Sequence, residues 1–468
     1  VLVFCNRNIQ QTIEIPDFIE IIGPYSFNGC KKLNKVEIPV NSKLRIIDKY
    51  AFYNSSIECF SVPLHLTQIC EGAFSHCMNL RNFEVSTNSE LEIIGKKAFC
   101  FTKIEKFTIP HHLTHICEGT FDFTKELRTV EIPENSELLT IDKNAFSSSA
   151  IEKLTIPHHI THIGEGAFAN CIKLRTIEIP TNSEIKSIGT SAFSYSGIEC
   201  FTIPHHLTQI KEFTFSFCPK LKRIEVQKNS ELKTIEKNAF YFSAIEYFEI
   251  PTSLVELKHH WCHQTANLYN IKVSQNNPIF AMHENKAIIK KLTHDAKNYD
   301  AFVFCSRNAQ KISIPSNIKL IESYAFHCCK QLQKVEIQEN SELQTIEKLA
   351  FYGSGIEKFS FPCHITHICE QSFACCSKLK FIEFKKNSEL KIIDARAFDE
   401  SSITSMFIPL NVEQIGDYVF EFCSTIKIVE FGTKFMINDI DINIFDELFQ
   451  VLIMIPIVNE DEKGVVYY

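Results

Sequence analysis

The sequence predicts a repeat solenoid: a coil of short units carrying one parallel β-sheet, in which no unit buries its apolar face alone. Two observations predict it. Phe recurs at 27, 52, 74, 99, 121, 146, 168, 193, 215 and 240, a strict alternation of 25 and 22 residues, and the same spacing resumes at 326, 351, 373, 398, 420 and 445. The composition agrees, because 40 Phe against one Trp and 14 Gly means that one aromatic is reused at equivalent positions. With Cys5 and Phe304 starting variant units and Cys262 replacing a Phe, about nineteen units cover nearly all of the 468 residues.

Each unit supplies one principal strand. The longer type reads AFANCIKLRTIEIPTNSEIKSIGTS from Ala167 to Ser191 and contains Leu174, Ile177, Ile179 and Asn182, the spacing L-x-x-L-x-L-x-x-N. The shorter type, Ala192 to Lys211, places Ile198, Phe201, Ile203 and His206 at the same offsets. Apolar alternation at Ile177 and Ile179 signals a strand, and Pro180 ends it because proline cannot continue the ladder. This is a leucine-rich-repeat pattern and implies a right-handed superhelix. Nineteen strands at about 4.8 Å per rung give a concave parallel sheet on the order of 90 Å long. The remainder, Ile163 to Phe168 for example, returns along the convex side as a short strand or 3-10 turn with Ile163 and Phe168 inward.

The frame breaks once, at 280–303, where two apolar strips, Ala287–Ile289 and Ala301–Phe304, predict a β-hairpin. Three segments follow: a first array at 1–279, the hairpin at 280–303 and a second array at 304–468. VFCSRNAQKISIP from Val303 closely copies VFCNRNIQQTIEIP from Val3, so the chain opens where a second copy resumes. Val1–Arg7 show neither an initiator Met nor a signal layout, and the chain reads as a fragment.

The frame AF-x-x-C-x-x-L-x-x-I-x-I-P, with Ile163-Gly164 before Ala167-Phe168, resembles the BspA-like leucine-rich repeats of bacteria and parasitic protists, and the alternating NSEL and PHHLT units resemble the protist branch. The resemblance implies a surface protein that adheres to host matrix or to other cells.

The net charge of -8 is spread without a basic block, which argues against nucleic acid and anionic membranes and favours a cationic or neutral partner. The longest apolar candidate, Leu448–Val458, is too short to span a bilayer. Of 19 Cys, Cys30, Cys77, Cys171, Cys218, Cys329, Cys376 and Cys423 each follow a unit Phe by three residues. Alternate rungs lie about 9.5 Å apart, beyond disulfide reach, so these read as buried thiols filling one core slot. Thiols without a bridging plan favour a reducing compartment, and the single sequon at Asn54 is weak evidence for export.

His65, His112, His159, His206 and His364 form a ladder, often beside His111, His158 and His205. They share a slot with Asn41, Asn88, Asn135, Asn182, Asn229, Asn340 and Asn387, and with Asn317 and Asn411 in two shorter units. The slot is expected to turn inward and satisfy neighbouring loops, so no metal site is assigned to it. The run His259, His260, Trp261, Cys262, His263 matches no zinc spacing; Trp261 and Cys262 fill the Ala-Phe slots. No catalytic motif and no cofactor site is recognised.

The remaining candidate is the outward face of the strands. Glu37, Glu84, Glu131, Glu178, Glu225, Glu336, Glu383 and Glu430 lie between inward apolar residues, with Ser61, Thr108, Thr155, Thr202 and Ser360 on the intervening rungs. A non-catalytic binding face for a protein or glycan is the expectation, centred on Glu84, Glu131, Glu178, Glu225, Thr108, Thr155 and Thr202. Surface adhesion follows from the resemblance; an intracellular interaction scaffold is the alternative that the thiols favour. Ligand identity, oligomeric state and location are left open.

Overall fold

The computed structural model describes residues 1–2, 11–86, 88–293 and 295–432, and the backbone of the strands Leu452–Asn459 and Glu462–Tyr467. Cys5 and Phe445, two of the sequence-assigned unit positions, lie outside these residues, as do 448–451 of the apolar segment. All regular elements among the described residues are β-strands, arranged as a β-solenoid of about 18 turns.

Each turn contributes two strands to two parallel rows. The wide row has strands of three or four residues, such as Lys153–Thr155 and Thr176–Glu178, paired in register Lys153↔Thr176, Leu154↔Ile177 and Thr155↔Glu178. Their middle residues are buried and their flanks face solvent, as period-two alternation dictates: Leu154 and Ile177 are 2% and 6% exposed. The narrow row has two-residue strands, such as His162–Ile163 and Ser187–Ile188, whose second residue is inward. Short strands, and not 3-10 turns, therefore form the return side.

A third ladder joins the turns. After the narrow strand, Gly166 and Asn170 adopt left-handed φ of 59° and 58° on either side of Phe168. The amides of Gly166, Phe168 and Asn170 donate to Thr190, Ala192 and Ser194 of the next turn. A non-glycine residue in this region costs roughly 1 kcal/mol or more, and the inter-turn hydrogen bonds offset that cost at every rung. The segment also aims the unit Phe inward. Phe168 stacks on Phe146 at 5.5 Å and on Phe193 at 5.5 Å, with rings within 10° of parallel.

By contacts, the chain divides into Val1–Ile245 with Glu256–Cys262, and Glu246–Val255 with His263–Tyr468. In the first unit the Phe spine runs from Phe27 to Phe240, and Trp261 accepts the Phe240 amide hydrogen bond as Ala does elsewhere. In the second, Phe302, Phe326, Phe351, Phe373, Phe398 and Phe420 repeat the stack. There Phe280–His283 pairs antiparallel with Ala287–Lys290, which pairs antiparallel with Ala301–Cys305. Ala301–Cys305 then pairs parallel with Leu320–Ile321, so the interruption feeds directly into the narrow row. At the far end Leu452–Asn459 extends the wide row and Glu462–Tyr467 folds back on it.

Candidate functional site

The outward residues of the wide row are exposed, but they do not form a bare acidic ladder. Glu131 receives Lys106 at 2.6 Å and the Thr108 hydroxyl at 3.1 Å, and Glu178 receives Lys153 at 2.6 Å and Thr155 at 2.7 Å. Glu84 accepts from Ser61 at 2.9 Å, and Glu225 pairs with Arg223 at 2.9 Å; Thr202 stands in register with Glu225. The same arrangement recurs at Glu336 with Lys311 and at Glu383 with Ser360. Lysine hydrogen bonds hold the Glu131 and Glu178 carboxyls below their ordinary value. The face is therefore of mixed charge, with a cation beside the carboxylate at Glu131, Glu178, Glu225, Glu336 and Glu383 and a hydroxyl alone beside Glu84. The signal was present in the sequence: Lys106, Lys153, Lys311 and Lys358 each precede the hydroxyl by two residues, hence share its face.

Strand pairing along this row alternates. A shorter-unit strand pairs along its length with the following longer-unit strand, as Lys106–Thr108 does with Thr129–Glu131. The next junction opens. The Glu152 backbone amide still donates to the Arg128 carbonyl, but Thr129–Glu131 and Lys153–Thr155 belong to separate sheets. Between them lies an open groove of about 620 Å³, lined by the polar Arg128, Thr129, Glu131, Glu152, Lys153 and Thr155 and by the apolar Val130 and Ile132.

The His/Asn slot does not turn inward, and that expectation is corrected. Pro133 begins a turn closed by the Ser136 amide donating to the Pro133 carbonyl, and Pro110 begins one closed by Leu113. The slot is the third residue of this turn, so Asn135 and His112 sit at its tip, exposed. The inward residue is the next one. Ser42, Ser89, Ser136, Ser183, Ser230, Ser341 and Ser388 are all buried, and each hydroxyl accepts the amide two residues on, as in Leu138 to Ser136 at 3.2 Å. Asn317 and Asn411 do donate to neighbouring carbonyls, of Tyr299 and Ser388. The histidines instead meet a glutamate of the next turn: His65 faces Glu90 at 3.1 Å and His364 faces Glu389 at 3.2 Å.

The repeated cysteines are buried and already hydrogen-bonded. Cys77 Sγ donates to the Phe52 carbonyl at 3.0 Å and touches Ser55 Oγ at 3.3 Å; Cys171, Cys218, Cys376 and Cys423 repeat both contacts. Burial pushes the Cys77 thiol up to about 12 and Cys171 up to about 11, which removes nucleophilic character at neutral pH. Cys329 differs. Burial acts on it too, but the Cys305 hydrogen bond and the Arg307 guanidinium, 3.5 Å from its sulfur, outweigh that and lower it.

One further surface was missed in the sequence. Two residues after the unit Phe, His76, Phe101 and Phe123 stack at 4.7 and 4.6 Å, and Tyr195, Phe217 and Phe242 at 4.4 and 5.4 Å. Phe123, Tyr195 and Phe242 are exposed. These positions have left-handed φ, so their side chains project from the corner and not into the core.

The profile of the BspA type leucine rich repeat region matches residues 2–128, 92–212, 186–284 and 297–450. The chain belongs to the BspA type leucine rich repeat family. Solved structures are similar: a leucine-rich repeat protein from Bacteroides ovatus is 20% identical over 90% of this chain and 86% of its own, with a TM-score of 0.48. The pneumococcal vaccine antigen PcpA is 21% identical over 70% of this chain and 72% of its own, also at 0.48. A leucine rich cell surface protein from Faecalibacterium prausnitzii is 22% identical over 70% of this chain and 81% of its own, again at 0.48. The fold itself stands on the strand pairing above. No curated protein matches the chain in sequence. Among the described residues no helix is long and apolar enough to cross a membrane.

Proposed function

We propose that this protein is a non-catalytic binding protein that recognises a protein or glycan on a cell or matrix surface through the outward face of its wide-row strands. The observation that carries this reading is the groove at Arg128, Glu131, Glu152, Lys153 and Thr155, a solvent-open site at the junction from a longer to a shorter unit. Interleaved cations, hydroxyls and carboxylates supply both donors and acceptors, and a hydroxyl-rich chain uses both; a purely cationic partner would meet Lys106 and Lys153. A glycan or a glycosylated protein therefore fits better than the cationic ligand that the net charge alone favours. The adhesive role that the family resemblance implies supports a partner outside the cell.

The test is a panel of immobilised matrix proteins and neutral oligosaccharides, probed with the wild-type chain and with Glu131→Lys/Glu178→Lys/Glu225→Lys. The expected result is saturable wild-type binding that the triple variant loses while its circular dichroism is unchanged. Equal binding by both proteins removes this face from the account.

An intracellular scaffold is the second reading, favoured by the free thiols of Cys77, Cys171, Cys218, Cys376 and Cys423. Treating intact source cells with a non-permeant protease separates the two. Digestion before lysis supports the surface reading, and protection until lysis supports the scaffold.

A further inference from the structure

We propose that His111, His112 and Glu137, and the equivalent His205, His206 and Glu231, are two binding sites for a divalent transition-metal ion of the zinc class. The donor atoms of each set lie within 4.8 Å of one another. Glu137 Oε1 is 3.4 Å from His112 Nδ1 and 3.9 Å from His111 Nε2; Glu231 Oε1 is 3.4 Å from His206 Nδ1 and 3.8 Å from His205 Nε2. Tetrahedral zinc, with ligands at about 2.0 to 2.2 Å, separates its donors by roughly 3.3 to 3.5 Å.

The single-histidine turns act as internal controls. Where no second imidazole precedes the histidine, Leu64 standing before His65 and Cys363 before His364, the imidazole closes on its glutamate to 3.1 and 3.2 Å, an ordinary hydrogen bond. In two of the three double-histidine turns both rings stand back around one carboxylate oxygen; in the third, His158 and His159 lie 5.0 Å apart and nearly perpendicular and form no such set. The two ring pairs have the same 4.5 Å centroid separation, although they are 94 residues apart in sequence.

The backbone prearranges the set. Pro110 and Pro204 start the turns that expose consecutive histidines, and the Glu137 and Glu231 amides donate to the His111 and His205 carbonyls at 2.9 Å, which fixes the glutamate across the pair. With His112 and Glu137 about half exposed, three protein ligands leave an open fourth position for water. Two imidazoles with one carboxylate select a borderline ion over calcium or magnesium, which take oxygen ligands. A third convergent set, His367, Cys369 and Asp394, is otherwise satisfied: His367 Nε2 is 2.8 Å from Asp394, and burial pushes the Cys369 thiol up to about 12. Among the described residues no convergent set draws on the run His259–His263.

Cobalt(II), a spectroscopic stand-in for zinc, tests the assignment by titration into the full chain at about pH 7.5, with metal per chain read in parallel. Two saturable ions are expected, with the weak visible bands of nitrogen and oxygen ligation and without thiolate charge transfer. His111→Ala/His112→Ala should leave one ion, and so should Glu137→Gln, which leaves the turn intact. The absence of saturable binding, or two ions retained after all four histidines are replaced, overturns the proposal. A thiolate signature overturns it equally.

Discussion

Replacing Phe168 by Ala probes the feature on which every turn depends. Its ring is fully buried and lies between two parallel neighbours, Phe146 and Phe193, each 5.5 Å away. Losing the ring forfeits about 2 to 2.5 kcal/mol of transfer free energy. A residual hole of roughly 60 Å³ adds about 1.5 kcal/mol at ~24 cal/mol per Å³, for a total near 4 kcal/mol. Because each turn contacts only its neighbours, the loss should stay local. Urea titration followed by circular dichroism, with hydrogen exchange mapped by mass spectrometry, reads both quantities. The expected result is a lower midpoint and faster exchange concentrated between residues 141 and 198. The exposed Phe123, stacked on Phe101, provides the comparison, and its replacement by Ala should cost about 1 kcal/mol. A Phe168→Ala loss below about 1 kcal/mol, or exchange spread evenly along the chain, refutes the reasoning.

Other perturbations separate the remaining claims. Ser136→Ala removes the acceptor for the buried Leu138 amide and should cost about 1 kcal/mol, whereas Asn135→Ala at the exposed tip should move stability by less than about 0.5 kcal/mol; thermal melts of the two variants decide which residue is the inward one. Burial, with Glu421 and Glu400 nearby, raises the Asp399 carboxyl to about 6. A folded-state value above the unfolded one means that stability is fully present below the ordinary carboxylate range and is lost as pH rises through about 6. Asp399→Asn should therefore gain about 1 kcal/mol near neutral pH, after allowance for partial exposure, and nothing at about pH 3.5. Equal stability of the two proteins at both pH values contradicts this. Cys77 and Cys171 should resist alkylation in the native chain and react fully after denaturation, as mass spectrometry of the labelled protein would show.

The core was legible in the sequence because each buried slot recurs many times. One Phe at a fixed offset says little; a run alternating by 25 and 22 residues leaves the ring no place except a continuous interior stack. The Cys slot followed from the same frame. The His/Asn slot was misread because inward asparagine was carried over from the general repeat pattern, while the residue that returns to the core after each Pro-initiated turn is Ser136 or Leu113. Lys106 and Lys153 were visible but unused, since attention to the glutamates alone leaves out the residue two positions earlier on the same face. The opening between Glu131 and Thr155 and the convergence of His111, His112 and Glu137 depend on how neighbouring turns diverge or approach. Such geometry is set by loop length and rotamer and has no signature within a single unit.

Carboxylate footprinting tests the claim that partners bind the wide-row face most directly. The chain is labelled with a carbodiimide and an amine, alone and with a partner retained from the matrix-protein and oligosaccharide panel, and labelling is read by mass spectrometry. Protection of Glu131, Glu178 and Glu225, with Glu71, Glu118 and Glu165 beyond the narrow strands labelled as before, is the result expected. Protection of the latter three with the wide row unchanged would contradict the account and move recognition to the return side of the coil.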